Sequence, residues 1–307
     1  MSLLPFLRRK SEAPAGSAEA VARLLSGFSI EVMPRTAEKV EDFRAILPPG
    51  TRIYIAHIDG TPFEDMLATA RRIAGEGFPV MPHFPARSIP DRATLAEWVA
   101  RYRGEAGVTQ GLILAGGRAE PAGAFDSSMA LLETGLFEGF TDLHVAGHPE
   151  GNRDIDPDGS DRGVTEALRW KAAFAERTDA RVAITTQFAF EADPVIAWAE
   201  RLRAEGIGLP VHLGIAGPAK LQTLIKYAVA CGVGPSLRVL QKRAMDVTKL
   251  VLPYEPDELV AALAAHKAAH PDFAVERIHI FPLGGIKAAA DWARARLDRT
   301  LAPAING

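Results

Sequence analysis

Short apolar runs recur along the chain and alternate with longer amphipathic stretches. There are eight such runs, and they begin at Phe28, Arg52, Phe78, Gly111, Asp142, Arg181, Leu209 and Arg277. Most are continuously apolar rather than alternating, which is typical of strands buried on both faces of a parallel sheet. We therefore predict that each run forms a β-strand.

The stretches between the runs have the spacing of helices. A short helix is predicted over residues 18–25, and another over residues 36–47 with Thr36 as its N-cap. The segment 218–276, between the last two runs, is longer than one helix needs. We expect two or three helices there, one of them over residues 256–270.

Eight strand–helix units in one chain are typical of an α/β protein with the (β/α)8 or TIM barrel fold. We predict one barrel domain over residues 27–307, with extra helices between strands seven and eight, after an N-terminal extension over residues 1–26. A doubly wound open sheet is the alternative. It is disfavoured because no Gly-x-Gly-x-x-Gly sequence follows the first strand.

The composition excludes several classes of protein. With 307 residues, a net charge of -3 and 48 % hydrophobic residues, the chain resembles ordinary globular proteins and not nucleic-acid binders. No apolar run approaches the roughly 20 residues that span a bilayer, and Leu3, Leu4, Phe6 and Leu7 are expected to pack on the protein itself, with docking to a membrane surface as the alternative. The single cysteine, Cys231, excludes an intrachain disulfide and has apolar neighbours, so we expect a buried thiol in a cytoplasmic protein.

Active sites of TIM barrels lie at the C-terminal ends of the strands. The candidate site residues are therefore the polar residues and glycines at those ends, namely Glu31, His57, Asp59, His83, Gly116, Gly117, His148, Glu150, Asn152, Thr185, Thr186 and Gln187. An acid inside an apolar strand is costly to bury without a purpose, although an arginine partner would also explain Glu31. Gln187 and His83 have a structural alternative too, in which they satisfy hydrogen bonds inside the barrel.

Histidines and carboxylates near strand ends also suggest a zinc or manganese site. Tight ligand spacing is missing, because the first strand contains Ile-Glu-Val where barrel hydrolases typically have His-x-His. A metal-dependent barrel hydrolase is therefore kept as a minor alternative, and we expect no metal.

Five motifs, in order along the chain, resemble those of the methylenetetrahydrofolate reductase family. They are FSIEVMPRT from Phe28, MPHFPAR from Met81, AGHPEGN from Ala146, ITTQFAFEAD from Ile184 and GIGLPVHLGIAGP from Gly206. Their order and spacing hold over residues 28–218, and the likeness is weaker beyond. No single motif is decisive, but five in register on eight strand–helix units are specific.

The resemblance implies a flavoprotein of one-carbon metabolism that serves methionine biosynthesis or oxidises a methylated folate. In this family NADH or NADPH reduces FAD and leaves. 5,10-Methylenetetrahydrofolate then takes its place and receives a hydride, which yields 5-methyltetrahydrofolate in a ping-pong cycle. The family habit also implies a homo-oligomer.

The resemblance also implies roles for individual residues. Glu31 matches the family's acid, and burial in an apolar barrel mouth is expected to raise its pKa. The residues implied in folate binding are Gln187, Gly117 and Phe190. Those implied in FAD binding are His57, His83, Leu114, Ala115, Gly116, Gly117, Asp126, Ser127, Ala146, His148, Asn152 and Lys171. By spacing alone, Lys171 would be a solvated helix residue.

Four departures from the family pattern affect the function. Asn152 replaces a histidine, and the family's Gln-x-x-Phe motif after the seventh strand has no clear counterpart. Gly117 stands where the family has an aspartate near the flavin and the pterin. Gly285, in the sequence Leu-Gly-Gly, stands where an arginine meets the folate tail, and Lys287 is a possible substitute. These departures keep an alternative open, a folate- or pterin-binding barrel of the methyltransferase type without redox activity.

Overall fold

The computed structural model describes residues 16–230, 240–241 and 253–298. Eight parallel strands follow one another around a closed barrel in sequence order, and the last strand pairs with the first. The strands are β1 (Ser29–Val32), β2 (Arg52–Ile55), β3 (Val80–Pro85), β4 (Gln110–Leu114), β5 (Asp142–Gly147), β6 (Arg181–Ala189), β7 (Val211–Ala216) and β8 (Val275–Phe281). The predicted (β/α)8 barrel is confirmed, and closure of the sheet rules out the open-sheet alternative.

Ten helices are described around the barrel. They are α1 (Gly16–Leu25), α2 (Pro34–Ala37), α3 (Phe63–Gly75), α4 (Arg92–Ala106), α5 (Ser128–Leu132), α6 (Arg162–Ala175), α7 (Ala192–Ala204), α8 (Leu221–Ala230), α9 (Asp257–Ala269) and α10 (Ile286–Leu297). Both α8 and α9 lie between β7 and β8, as expected. None of these helices is long and apolar enough to cross a membrane. Cys231 and the apolar residues 3–7 lie outside the described residues.

The helix predicted over residues 36–47 is wrong. Helix α2 ends at Ala37, and only a short 3-10 turn follows over Phe43–Ala45. The Asp42 side chain accepts a hydrogen bond from the backbone N–H of Arg44, which favours a local turn over a continued helix. Thr36 is not the N-cap, but its hydroxyl accepts a hydrogen bond from the backbone N–H of Met33, the actual N-cap.

Helix α1 belongs to the outer layer of the barrel. It packs against β8, α9 and α10, and its Leu24 and Leu25 are buried in the main apolar core. That core lies between the strands and the helices, where side chains such as Ile53 and Leu67 are fully buried. The helix predicted inside the N-terminal extension is therefore packed on the protein, and burial of its leucines stabilises that contact.

Candidate functional site

Glu31 on β1 meets two histidines from other strands. Its carboxylate oxygen Oε2 lies 3.2 Å from Nε2 of His83 on β3 and 3.7 Å from Nε2 of His279 on β8. Side chains from three strands can meet at these distances only inside the barrel. Neither imidazole nitrogen is aligned for a good hydrogen bond to the carboxylate. The partners of Glu31 are therefore imidazoles and not the arginine considered from the sequence.

The expectation that Glu31 has a raised pKa is wrong. Burial does raise the pKa of its carboxyl group, but the neighbouring His279 and His83 lower it by more, to about 2. Complete burial also lowers the pKa of His279, so this imidazole is mostly neutral at pH 7. Glu31 is therefore ionised at neutral pH, so its carboxylate has no proton to donate.

Gln187 is exposed at the C-terminal end of β6, where the strand bulges. Between the pairs Thr185–His212 and Phe188–Gly214, β6 has one more residue than β7, which is a β-bulge. Within the described part of the chain, the Gln187 side chain has no hydrogen-bond partner. The bulge thus presents a free amide, which can donate and accept hydrogen bonds.

The two glycines after β4 differ in their surroundings. Gly116 has a φ of +91°, and a Cβ there would lie 2.9 Å from Cβ of Pro85. A Cβ on Gly117 would meet nothing within 4 Å, so the position that differs from the aspartate of the resembled family is open space. Arg87 anchors this loop by donating to the carbonyls of Arg118 and Asp126.

Lys171 is buried on α6. The expectation from spacing alone, that this lysine is exposed to solvent, is therefore wrong. Its ammonium group donates to the carbonyl of Ala146 at the end of β5, 3.2 Å away, and no described carboxylate pairs with it. Burial lowers the pKa of Lys171 to about 8. Burial and the Lys171 charge lower the pKa of the nearby His148 to about 4, and Asn152 Nδ2 lies 3.5 Å from His148 Nδ1.

His57, at the end of β2, has a fixed tautomer. Its Nε2 lies 2.9 Å from the carbonyl of Thr61, which can only accept, so Nε2 carries the proton and Nδ1 is an acceptor. Nδ1 is buried without a partner among the described residues, and burial lowers the pKa of the imidazole. The ring stacks on Trp98 with centroids 5.1 Å apart. Asp59, two residues on, pairs with Arg118 beyond β4.

The remaining predicted site residues lie around the same end of the barrel. Leu114 is half-buried and packs against the cluster formed by Tyr54, Met81 and Leu112. The Ser127 side chain accepts a hydrogen bond from the backbone N–H of Ala130 as the N-cap of α5, and Asp126 is exposed. Phe190 is buried against Tyr254, with ring centroids 5.2 Å apart, so its ring is packed among apolar side chains and is not exposed for binding.

Sequence reasoning missed a polar cluster inside the barrel, below Glu31. The Tyr54 hydroxyl lies 2.6 Å from Nδ1 of His144, and Thr185 Oγ1 lies 2.8 Å from the same nitrogen. The His144 and His212 rings are in edge contact at 4.5 Å. Burial lowers the pKa of both histidines, in His212 to about 3. The criterion that selected Glu31, a lone polar residue in an apolar strand, would also have selected these histidines.

Next to this cluster, Arg52 and Asp142 form an ion pair at the N-terminal ends of β2 and β5. The guanidinium group of Arg52 donates to Nε2 of His144 at 3.2 Å and to Asp142 at 3.0 Å. Among the described residues, no group of three or more histidine, cysteine, aspartate or glutamate side chains is arranged to hold a metal ion. The hydrolase alternative therefore has no candidate ligand set in that part of the chain.

Comparisons with known proteins agree with the fold. No protein-family model matches the chain. An uncharacterized protein from Clostridium thermocellum, which binds two copies of 5-methyl-5,6,7,8-tetrahydrofolic acid, is similar with a TM-score of 0.59 and 11 % identity, covering 90 % of this chain and 97 % of that chain. A β-N-acetylhexosaminidase from Beutenbergia cavernae has a TM-score of 0.33 and 16 % identity, covering 94 % of this chain and 99 % of that chain. This TM-score is too low to indicate a shared fold. At 11 % identity, the Clostridium thermocellum protein shows that the two chains share a fold.

Proposed function

We propose that this chain binds a reduced folate at the C-terminal mouth of the barrel and, with FAD and NADH or NADPH, interconverts 5,10-methylenetetrahydrofolate and 5-methyltetrahydrofolate. The observation that carries the proposal is the Glu31 carboxylate inside the barrel, 3.2 Å from His83 and in the first of the five motifs that resemble the reductase family. The Clostridium thermocellum protein binds 5-methyltetrahydrofolate on a similar fold, which supports a folate as the ligand.

The surroundings of Glu31 change the role we propose for it. The five-membered ring of methylenetetrahydrofolate must open to a positively charged iminium before a hydride can add. A preorganised carboxylate in a site shielded from water stabilises such a charge. His83, with Nε2 3.2 Å from the carboxylate, is the neighbour that can bring a proton to the departing nitrogen. Glu31 would thus stabilise the cation, and His83 would deliver the proton.

Gln187 has the chemistry to orient the pterin. A pterin ring presents adjacent hydrogen-bond donors and acceptors along one edge, and an amide can match both. The Gln187 side chain is exposed at the end of β6, and its backbone is held by the bulge. An amide already engaged inside the barrel would have to break its bonds first.

Lys171 fits FAD because the lysine is buried without an anionic partner. A buried ammonium group is unfavourable unless an opposite charge compensates it, and a pyrophosphate would do so. Gly117 leaves the backbone after β4 open to a close ligand, because nothing lies within 4 Å of its Cβ position. When bound, FAD would supply the chemistry of accepting a hydride and passing it on.

The tautomer of His57 limits its part in this site. With Nε2 bonded to the Thr61 carbonyl, only Nδ1 remains, and it accepts rather than donates. A ligand group that reaches the buried Nδ1 must therefore donate to it, as a hydroxyl or N–H group does. Nδ1 would not bind a phosphate oxygen, which also only accepts.

A second function has its own supporting observation. Gly117 has no side chain and open space around it, so position 117 offers no carboxylate to a flavin or a pterin. A barrel that binds methyltetrahydrofolate and transfers its methyl group without a redox step would not need one. This is the non-redox alternative.

One spectroscopic experiment separates the two functions. The full chain is mixed with FAD and freed of excess, its visible spectrum is recorded, and NADH or NADPH and then methylenetetrahydrofolate are added without oxygen. We expect the flavin absorbance to bleach with the nucleotide and recover with the folate. Protein that retains no FAD would exclude the flavin enzyme, and folate binding without any bleaching would favour the non-redox barrel.

Two variants test the proposed roles in the same assay. Glu31→Gln should bleach normally but recover about 100-fold more slowly, because it lacks the charge that stabilises the iminium. Lys171→Met should bind FAD at least about tenfold more weakly, because one charged hydrogen bond is lost. Lys267→Met is the matched control, since Lys267 also donates to a backbone carbonyl, that of Phe273, but in the last turn of α9. Its FAD affinity should be unchanged.

A further inference from the structure

The loop between β4 and α5, residues 115–127 (the β4 loop), is bonded to the loop between β3 and α4. Arg87, in the loop after β3, donates through its backbone N–H to the carbonyl of Ala115 at 2.8 Å. The Arg87 carbonyl accepts from the backbone N–H of Ala122, also at 2.8 Å. The backbone of one residue therefore holds both ends of the turn formed by residues 115–122.

The Arg87 side chain is bonded to the same loop. Its Nη1 donates to the carbonyl of Arg118 at 3.0 Å, and its Nε donates to the carbonyl of Asp126 at 3.1 Å. A guanidinium group can only donate and a carbonyl can only accept, so the direction of both bonds is fixed. Arg87 thus bonds to the β4 loop at four residues, namely Ala115, Arg118, Ala122 and Asp126.

Two glycines allow these loops to approach closely. A Cβ on Gly123 would lie 1.8 Å from the carbonyl oxygen of Pro90, which accepts a hydrogen bond from the backbone N–H of Ala124 at 3.1 Å. A Cβ on Gly116 would lie 2.9 Å from Cβ of Pro85. The β4 loop is therefore packed against the end of β3 and the loop that follows it, and a side chain at position 123 would have to move the backbone.

The open position 117 lies within the turn that Arg87 holds. In the part of the chain that the structure describes, the backbone N–H groups of Gly116 and Gly117 have no hydrogen-bond partner. The next residue, Arg118, is held at two points, because its carbonyl accepts from Arg87 and its Nη1 donates to Oδ1 of Asp59 at 2.8 Å. Free donors on a backbone that is already fixed lower the cost of ordering the site when a ligand binds.

We propose that Arg87 is a positioning residue for the ligand that binds beside the end of β4. It acts through the β4 loop, by fixing the backbone of Gly116 and Gly117 before the ligand arrives. The identity of the ligand as FAD rests on the proposed function, but the anchoring of the loop by the guanidinium group does not. Loss of that group should weaken ligand binding and leave the barrel intact, because the bonds it makes lie outside the strands.

Hydrogen exchange of the ligand-free full chain tests the anchoring. Arg87→Met loses both side-chain donors but keeps an apolar stem, and its peptides that contain Ala122 and Ala124 should exchange at least about tenfold faster than in the wild type. Arg103→Met is the matched control. Arg103 Nη1 also donates to a loop carbonyl, that of Glu138 at 3.0 Å, but from the last turn of α4, so this variant should leave the same peptides unchanged.

A fluorescence titration with FAD tests the positioning. Arg87→Met should bind FAD about tenfold more weakly, while its midpoint of urea unfolding stays close to that of Arg103→Met. Arg87→Lys should lie between Arg87→Met and the wild type, because one ammonium nitrogen replaces the three nitrogens of the guanidinium fork. At saturating FAD, reduction by NADH should proceed at the wild-type rate, since Arg87 acts on binding and not on the hydride transfer.

Unchanged exchange in Arg87→Met, or faster exchange with unchanged FAD affinity, would overturn the proposal. If Arg87→Met does not fold, Gly123→Ala disturbs the same contact between the loops with Arg87 intact, and it should weaken FAD binding at least as much.

The failure of the proposed function has a separate signature. If the wild type retains no FAD, the flavin enzyme is excluded, and 5-methyltetrahydrofolate becomes the probe in the same titration. Binding about tenfold weaker in Arg87→Met than in Arg103→Met would then support the role of Arg87, and equal binding would overturn it. A wild type that binds neither FAD nor the folate overturns both proposals.

Discussion

At the scale of single residues, Glu31 takes its chemistry from its neighbours. In an apolar pocket, the same carboxyl group would have a raised pKa and would be a proton donor. The imidazoles of His83 and His279 reverse the sign of that shift. Glu31 is therefore suited to stabilise a cation.

The two glycines after β4 give a prediction with a built-in control. Gly117→Asp should fold with the stability of the wild type, because its side chain enters open space. Gly116→Ala should lower the free energy of unfolding by about 1–3 kcal/mol, because alanine is strained at a φ of +91° and its Cβ would press on Pro85. Urea unfolding of both variants is the measurement.

The activity of Gly117→Asp carries a second outcome. If the flavin enzyme is the correct function, a carboxylate restored beside the site should change the rate of flavin reoxidation by the folate at least severalfold. Equal stability losses in the two glycine variants would contradict the structural contrast between them.

At the scale of elements, the bulge in β6 depends on one hydroxyl group. Thr186 Oγ1 accepts a hydrogen bond from the backbone N–H of Gly214, 2.9 Å away, and donates to the Gln187 carbonyl at 2.7 Å. A Cβ on Gly214 would lie 2.4 Å from the Thr186 carbonyl oxygen, so only glycine fits opposite the bulge. The Thr186 hydroxyl thus ties the backbone of Gln187 on β6 to the backbone of Gly214 on β7.

Thr186→Val should therefore lower the free energy of unfolding by about 1–3 kcal/mol, because the buried N–H of Gly214 loses its acceptor while the side-chain volume is kept. It should also weaken folate binding, because the backbone that presents Gln187 is no longer fixed. Thr165→Val on the outer helix α6 is the control and should change stability by less than about 0.5 kcal/mol. Urea unfolding and folate titration check both effects, and a Thr186→Val protein as stable as the control would contradict this account of the bulge.

At the scale of the whole molecule, the barrel interior is a polar layer inside an apolar shell. Tyr54, His144, His212 and His279 are buried there, and burial lowers the pKa of each of the three histidines. A histidine that is neutral when folded takes up protons on unfolding once the pH is below its ordinary pKa. The barrel should therefore lose stability in mild acid.

The pH dependence can be stated for His212. Its pKa is about 3 in the folded chain against 6.5 as the usual value, so its contribution is complete above pH 6.5 and is lost as the pH falls toward 3. Between pH 7.5 and 5, it should account for about 2 kcal/mol of lost stability. His212→Asn should reduce that loss by about this amount. Urea unfolding at several pH values is the measurement, and a pH dependence identical to that of the wild type would contradict it.

Much of the architecture could be predicted from the sequence because its causes are local. The continuous apolar runs and helical stretches indicated eight strands in the right order, and each run overlaps an observed strand. The ends of those strands also indicated where Glu31, His83 and Gln187 would lie. The helix expected over residues 36–47 failed at Asp42, where a side chain competes with the backbone for hydrogen bonds.

The sequence by itself therefore determined the barrel and the end at which its candidate site is expected, because apolar periodicity and the rule for parallel strands depend on near neighbours. Only the tertiary structure decided the pKa of Glu31, the burial of Lys171 and the hydrogen bonds that join Tyr54 to His144 and Ser29 to His279. Ser29 and His279 are 250 residues apart in the chain, and Tyr54 and His144 are 90 apart. Their charges and tautomers depend on burial and on partners that meet only when the barrel closes.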